Sequence, residues 1–275
     1  MRALSTARRL DAPPRDAGPL RPPLKWAGGK RWQLPHLAPI WERHSRRRLV
    51  EPFCGGLGVA LGLRPARALL ADVNPHLINF YRCLQRGEPI EVRGENERES
   101  FDRSRARFND LIRAGEAEGP EAAALFFYLN RTGFNGLCRF NSKGLFNVPF
   151  GRYATIRYEL PEASYAEAMA RWSFACGDFE RLSVEPGDFV YADPPYDVPF
   201  TSYSAGGFSW EDQERLVRWL DRHDGPTILV NQATDRVVDL YERHGFRLER
   251  LEAPRRISCT GDRTAARELF ATRGL

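Results

Sequence analysis

Asp193, Pro194, Pro195 and Tyr196 follow directly on the apolar run "DFVYA", which reads as a buried strand. A parallel strand ending there leaves the Asp193 carboxylate beyond the sheet, at the carboxyl edge where open α/β sheets bind ligands. Neither proline has an N–H to donate, and their stiff trace aims carbonyl oxygens at the same pocket. The site thus offers acceptors only, a carboxylate and a main-chain carbonyl, beside the flat ring of Tyr196. Such a pair matches an NH2 group on a planar ring. That nitrogen is a poor nucleophile while its lone pair is delocalised. Acceptors held out of plane on both hydrogens draw it toward a tetrahedral shape, so that it can attack an electrophilic methyl in line. Positive charge then grows beside the carboxylate, where it is stabilised, and no prior deprotonation is required. Taken alone, D-P-P-Y is an ordinary type I turn. Its place after a buried strand, behind a first half that suits a cofactor, favours the chemical reading.

That first half contains "RLVEPFCGG" followed by "ALLAD". A glycine-rich turn after the first strand lets backbone amides approach a ligand, and the acid at the tip of the next strand, Asp72, lies about 20 residues on, where it can take two ribose hydroxyls. The turn is not G-x-G-x-x-G, so a ligand with ribose and adenine but no phosphate fits better. Upstream, "LKWAGGKRWQL" sets the wide face of Trp26 and the cation of Lys30 around two glycines. A surface turn with a half-buried Trp accounts for it equally well; a ligand with a free carboxylate would want the cation.

These residues need a scaffold. Strand, glycine-rich turn, helix, strand and acid is the opening of a parallel α/β sheet. Asn74 caps a helix with Pro75 at its first position. Residues 82–158 break the rhythm, with a helical stretch "EAAALFFYLN" and then "RTGFNGLCRFNSKGLFNVPFGRY", dense in Asn, Gly, Arg and aromatics, which reads as loops and a hairpin. The α/β pattern resumes with "DFVYA", a helix capped by Ser209 with Asp212 three residues on, "PTILV", a further helix, and two closing antiparallel strands. The expected architecture is one catalytic domain, residues 24–81 and 159–275, interrupted by a second, 82–158. Residues 1–23, rich in Arg, Pro and Ala, read as a disordered basic tail.

Bulk composition narrows the setting. Of 41 basic residues only Lys25, Lys30 and Lys143 are lysine, and all three fall in the motifs quoted above. The net charge of +5 suits a polyanionic partner without demanding one. Five scattered cysteines, with no C-x-x-C pair, point to neither a zinc site nor a disulfide framework. No apolar run approaches the about 20 residues that span a bilayer, and no secretory signal opens the chain, so the cytoplasm is the default.

In order along the chain, "KWAGGK", "EPFCGG", "ADVNPHLINFY", "NRTGFNGLCRFNSKGLFNVPFGRY", "GDF" and "DPPY" resemble the DNA adenine N6-methyltransferases of the Dam type, the D12 class, which use S-adenosylmethionine. The resemblance runs from about Pro23 onward. It implies a Rossmann-like methyltransferase sheet, mostly parallel with an antiparallel closing strand, and an inserted helical and hairpin DNA-recognition domain. It implies cofactor contacts from Trp26, Lys30, Phe53, Gly55, Asp72, Asn74, Asp178, Phe179 and Asp193, with Lys30 toward the methionine carboxylate and Asp72 toward the ribose. Asp193, Pro194, Pro195 and Tyr196 would form the target-amine site. Lys25, Phe134, Asn135, Leu137, Arg139, Pro149 and Arg152 would contact duplex DNA, read as G-A-T-C, with the target base flipped out of the helix. Phe134 departs from relatives that carry Tyr, which leaves a phosphate contact there in doubt. The basic tail is outside the family pattern. The resemblance fits a monomer, and nothing in the residues indicates a companion restriction nuclease.

A similar acceptor site serves enzymes that methylate protein amides or RNA amines. The Asn- and Arg-rich insertion argues instead for major-groove readout. A DNA-binding module with a decayed pocket would lack Asp193 or Lys30, and both are present.

Overall fold

Short runs of branched and aromatic residues form seven strands among the residues that the computed structural model describes, 20–197, 207–253 and 266–275. They are β1 (Leu49–Glu51), β2 (Ala68–Asp72), β3 (Trp172–Cys176), β4 (Phe189–Ala192), β5 (Thr227–Gln232), β6 (Arg247–Ala253) and β7 (Ala266–Arg273). They join in one sheet in the order β3-β2-β1-β4-β5-β7-β6. The first five pair in parallel, whereas β7 runs antiparallel to both β5 and β6. The chain builds outward from β1 through β2 to β3, then returns to start β4 on the other side of β1. The order therefore reverses between β1 and β4, which puts the switch point, where α/β sheets form the crevice that takes ligands, at their carboxyl ends.

The two-residue period of the strands sorts their side chains between two apolar layers. Leu49, Leu70, Phe189, Tyr191, Ile228 and Phe270 face one layer, with Leu37 and Trp41 of α1 (Leu34–His44) and Leu77, Phe80 and Leu84 of α3 (Pro75–Gln85). Val50, Val190, Ala192, Leu229 and Leu269 face the other, with Leu216 and Leu220 of α7 (Trp210–Leu220) and Val237 and Leu240 of α8 (Asp235–Arg243). Both expected caps are present. Asn74 Oδ1 accepts from the amides of His76 and Leu77, and Ser209 and Asp212 exchange side-chain and backbone bonds across the start of α7.

Between β1 and β2 lies the short α2 (Ala60–Leu63). The interrupting segment supplies α4 (Arg98–Ala114) and α5 (Gly119–Thr132), and α6 (Glu162–Met169) leads back to β3. The expected boundary at residue 81 falls inside α3. Phe101, Phe108, Phe126 and Phe127 join the same apolar layer as α3, and the rings of Phe80 and Phe127 stack at 5.7 Å.

Of the expected loops and hairpin, the hairpin is short and interrupted: antiparallel bridges join Gly133 with Phe150 and Phe140 with Phe146, and Asn147 N donates to the Arg139 carbonyl at 3.1 Å, but no continuous ladder forms. Two features work against a ladder. Asn135 and Arg152 both take φ of 52°, and Asn141 Oδ1 captures the amides of Lys143 and Leu145, a local bond that replaces cross-strand pairing. Of the expected basic tail, residues 1–19 lie outside the described residues. Its last part is packed, since Pro23 is buried and the Arg21 carbonyl accepts from Tyr165 OH at 2.6 Å. Among the described residues, no helix is long and apolar enough to cross a membrane.

Candidate active site

Asp193 leaves the end of β4 at the crevice. Its Oδ1 lies 3.2 Å from Lys30 Nζ, which also donates to the Gly28 carbonyl at 2.6 Å and sits 4.7 Å from the centre of the Tyr196 ring. Lys30 is 6% exposed and Asp193 20%, so the pair is sheltered but its carboxylate is not sealed off. Burial pushes the Asp193 pKa up to about 6, against the pull of the Lys30 charge. Lys30 thus pairs with the carboxylate expected at the target-amine site, a partner that sequence reasoning did not give it. Among the described residues no hydrogen bond is made to Asp193 Oδ2 or to the Pro194 carbonyl, whereas the Pro195 carbonyl accepts from Gln213 Nε2 at 2.8 Å.

Asp72 ends β2, with β1 between it and β4. Its Oδ2 accepts from Gly55 N at 3.2 Å and its Oδ1 from Asn74 N at 3.0 Å, and burial lifts its pKa to about 6. The glycines of "EPFCGG" serve a neighbour. A Cβ on Gly55 would lie 2.7 Å from Trp26 Nε1, and one on Gly56 2.7 Å from Trp26 Cβ, so the turn must be bare for the indole to cover it. Phe53, Phe179 and the unforeseen Phe208 form an aromatic group, with centroids of Phe53 5.6 and 5.7 Å from the other two. Asp178 is already engaged: it caps the turn at Phe179–Arg181 through Glu180 N and accepts from Arg215 Nη2 at 2.9 Å with both oxygens.

The expected DNA contacts divide by exposure. Phe134, Asn135, Arg139, Pro149 and Arg152 are exposed on the loop, Phe134 at 48%, while Leu137 is half-buried. Arg139 folds back onto Asn147, donating from Nε to Oδ1 at 2.9 Å. Lys25 joins this group from far away in sequence. Its backbone is bracketed by the buried Asn130, and its ammonium donates to the Arg131 carbonyl at 2.8 Å and lies 3.5 Å from the centre of the Tyr153 ring. Burial and the Arg131 charge lower its pKa to about 8.

Sequence reasoning missed a polar layer under Asp193. Gln33, fully buried, accepts from Tyr191 OH at 2.8 Å and donates to Glu268 of β7 at 3.1 Å. Glu51, the end of β1, is buried with Oε1 unpartnered among the described residues, and burial, then the Asp193 charge, push its pKa well up. The usable signal was an acid within or ending an apolar strand, in "LVE" and "RELFA". Val73, exposed beside Asp72, was also unassigned.

The family model of the D12 class N6 adenine-specific DNA methyltransferases matches residues 26–257. The chain is 37% identical over 257 residues to the DNA N-6-adenine-methyltransferase of Escherichia phage P1; the match covers 87% of this chain but only 33% of the phage protein. It is 36% identical to the DNA adenine methylase of Vibrio cholerae serotype O1, with 90% of this chain and 94% of that protein covered. It is 35% identical to the DNA adenine methylase of Escherichia coli (strain K12), covering 86% and 89%. A D-P-P-Y acceptor turn at the β1/β4 crevice of a seven-stranded mixed sheet, matched by this model over most of the chain, places the protein in the D12 class of adenine-specific DNA methyltransferases.

Proposed function

We propose that the chain transfers a methyl group from S-adenosylmethionine to the N6 nitrogen of adenine in duplex DNA, within G-A-T-C, after the base is flipped out. The observation that carries the reading is the acceptor pair left at the crevice: Asp193 Oδ2 and the Pro194 carbonyl, one carboxylate and one main-chain oxygen on the same turn, take no hydrogen bond from the described residues.

The residues around the crevice fit S-adenosylmethionine. The Asp72 carboxylate suits two ribose hydroxyls, the Phe53 and Phe179 rings suit a base, and the unpartnered Glu51 Oε1 and the Lys30 ammonium suit the charged ends of an amino acid. When bound, S-adenosylmethionine supplies the electrophilic methyl. Asp193 and Pro194 then hold the two amine hydrogens out of the ring plane, and Asp193 stabilises the charge that grows on nitrogen. Lys30 keeps that carboxylate ionised in a buried setting. Tyr196 offers its ring to the extruded base, offsetting an unstacking cost of a few kcal/mol.

Residues 82–158 are proposed as the recognition part. Arg139 stands exposed on its loop and is chemically suited to a bidentate contact with a guanine edge. Lys25 is proposed to reach a base pair beside it. The enzyme is proposed to act as a monomer. The test is label transfer from S-adenosylmethionine to a G-A-T-C duplex, a scrambled duplex and RNA. Label in the first alone supports the reading, and label in the scrambled duplex or RNA contradicts it.

A further inference from the structure

The turn carrying Asp193 is gripped from behind by buried amides. Gln213 of α7 and Asn231 of β5 are 1% and 0% exposed. Gln213 Nε2 donates to Pro195 O at 2.8 Å, and Asn231 Nδ2 donates to Gln213 Oε1 and to Tyr241 OH, each at 3.0 Å. Asn231 Oδ1 accepts from Gln232 N at 2.8 Å and Asp197 N at 3.3 Å. Asp197 is tied further by Thr234 and by an ion pair with Arg236.

Every bond in this chain has a forced direction. A proline offers only a carbonyl, so Gln213 must turn its NH2 toward Pro195 and its oxygen toward Asn231. Asn231 must then turn its own NH2 to Gln213, which leaves its oxygen for the Asp197 N–H. One network thus meets the backbone on both sides of Tyr196, an acceptor before it and a donor after it. Two successive prolines cannot anchor the turn through their own nitrogens, so the hold has to come from outside.

We infer that Gln213 and Asn231 are positioning residues for methyl transfer, which fix the Pro195–Asp197 backbone and, by occupying the Pro195 carbonyl, leave the Pro194 carbonyl to face the amine. The inference rests on the proposed roles of Asp193 and Pro194. Its effect belongs to the chemical step, because a reacting group displaced by about 1 Å can lose about 100-fold in rate while binding persists.

The test is single-turnover methylation of a G-A-T-C duplex by the full chain, as wild type, Gln213→Glu and Asn231→Asp, from about pH 5.5 to about pH 8.5. A carboxylate at 213 sets oxygen against the Pro195 carbonyl; its protonated form donates again. At the alkaline end Gln213→Glu therefore runs about 10- to 100-fold slower than wild type. Its ratio to wild type climbs as pH falls, since burial and the Asp193 charge favour the protonated acid, the Asp197 charge being matched by Arg236. Asn231→Asp in its ionised form cannot donate to Gln213 and slows in the same way, while the Kd for S-adenosylhomocysteine stays within about 3-fold in both. A Gln213→Glu ratio that does not change with pH overturns the inference. So does loss of cooperative melting in both variants, which would make the network a packing element. Asp193→Ala separates the two readings. If it still methylates, the assigned turn is wrong; if it is inactive while Gln213→Glu matches wild type, this inference alone fails.

Discussion

Asp193 and Asp72 are two carboxyls pushed up by burial to about 6, and each is proposed to work ionised. For an acid whose working form is the anion, activity disappears as pH falls through its pKa. The single-turnover rate should therefore decline on the acid side with a midpoint near 6. Lys30 opposes burial at Asp193, so Lys30→Met should move that midpoint to higher pH; an unmoved midpoint would mean the pair does not govern the titration. At Asp72, the ribose hydroxyls of the proposed cofactor would donate to the anion and favour it. Binding of S-adenosylhomocysteine near pH 6 should accordingly release protons, seen as a calorimetric enthalpy that depends on the buffer's ionisation heat. Enthalpies equal across buffers would contradict an Asp72 contact.

At the scale of elements, the turn after β1 and the loop proposed for DNA recognition make separate predictions. Gly56→Ala places a Cβ 2.7 Å from Trp26 Cβ, an atom close to the backbone that cannot swing away, so Trp26 must shift. Cofactor affinity should fall by about 10-fold with a smaller change in DNA affinity. Arg139→Ala should relax sequence choice at one base pair by about 1–3 kcal/mol, measured by methylation of singly mismatched sites, with little effect on the rate at a saturating cognate site. These elements were unequally legible in the sequence. Local signals, such as Asn74 before Pro75 and Ser209 before Asp212, located both caps because the bonds span three residues or fewer. The segment from Phe134 to Arg152 read as loops and a hairpin because its composition is that of turns, but the capture of main-chain amides by Asn141 does not show in composition.

Over the whole molecule, what the sequence concealed is what the sheet order assembles. Strand β7 enters between β5 and β6 from the end of the chain, and with it comes Glu268, bonded to Gln33 more than two hundred residues earlier. Lys25 meets Asn130 and Tyr153 through equally distant packing. Periodicity carries no information about such partners, whereas Asp72 and Asp193 were legible because open parallel sheets bind ligands at the carboxyl edge, a rule that applied equally to the overlooked Glu51. Arg139 and Arg152 are exposed and Lys25 packs on Tyr153, which follows Arg152 in sequence, so under the proposed function DNA affinity should fall as salt rises.

The central claim, that the Asp193 turn holds an extruded adenine amine for attack, is tested most directly by pairing two signals on Asp193→Asn. One is the fluorescence of 2-aminopurine placed at the target base, which rises on flipping; the other is the single-turnover methylation rate of the natural duplex. The account predicts a fluorescence rise like that of wild type together with a rate lowered by about 100- to 1,000-fold. A rate close to wild type would contradict it.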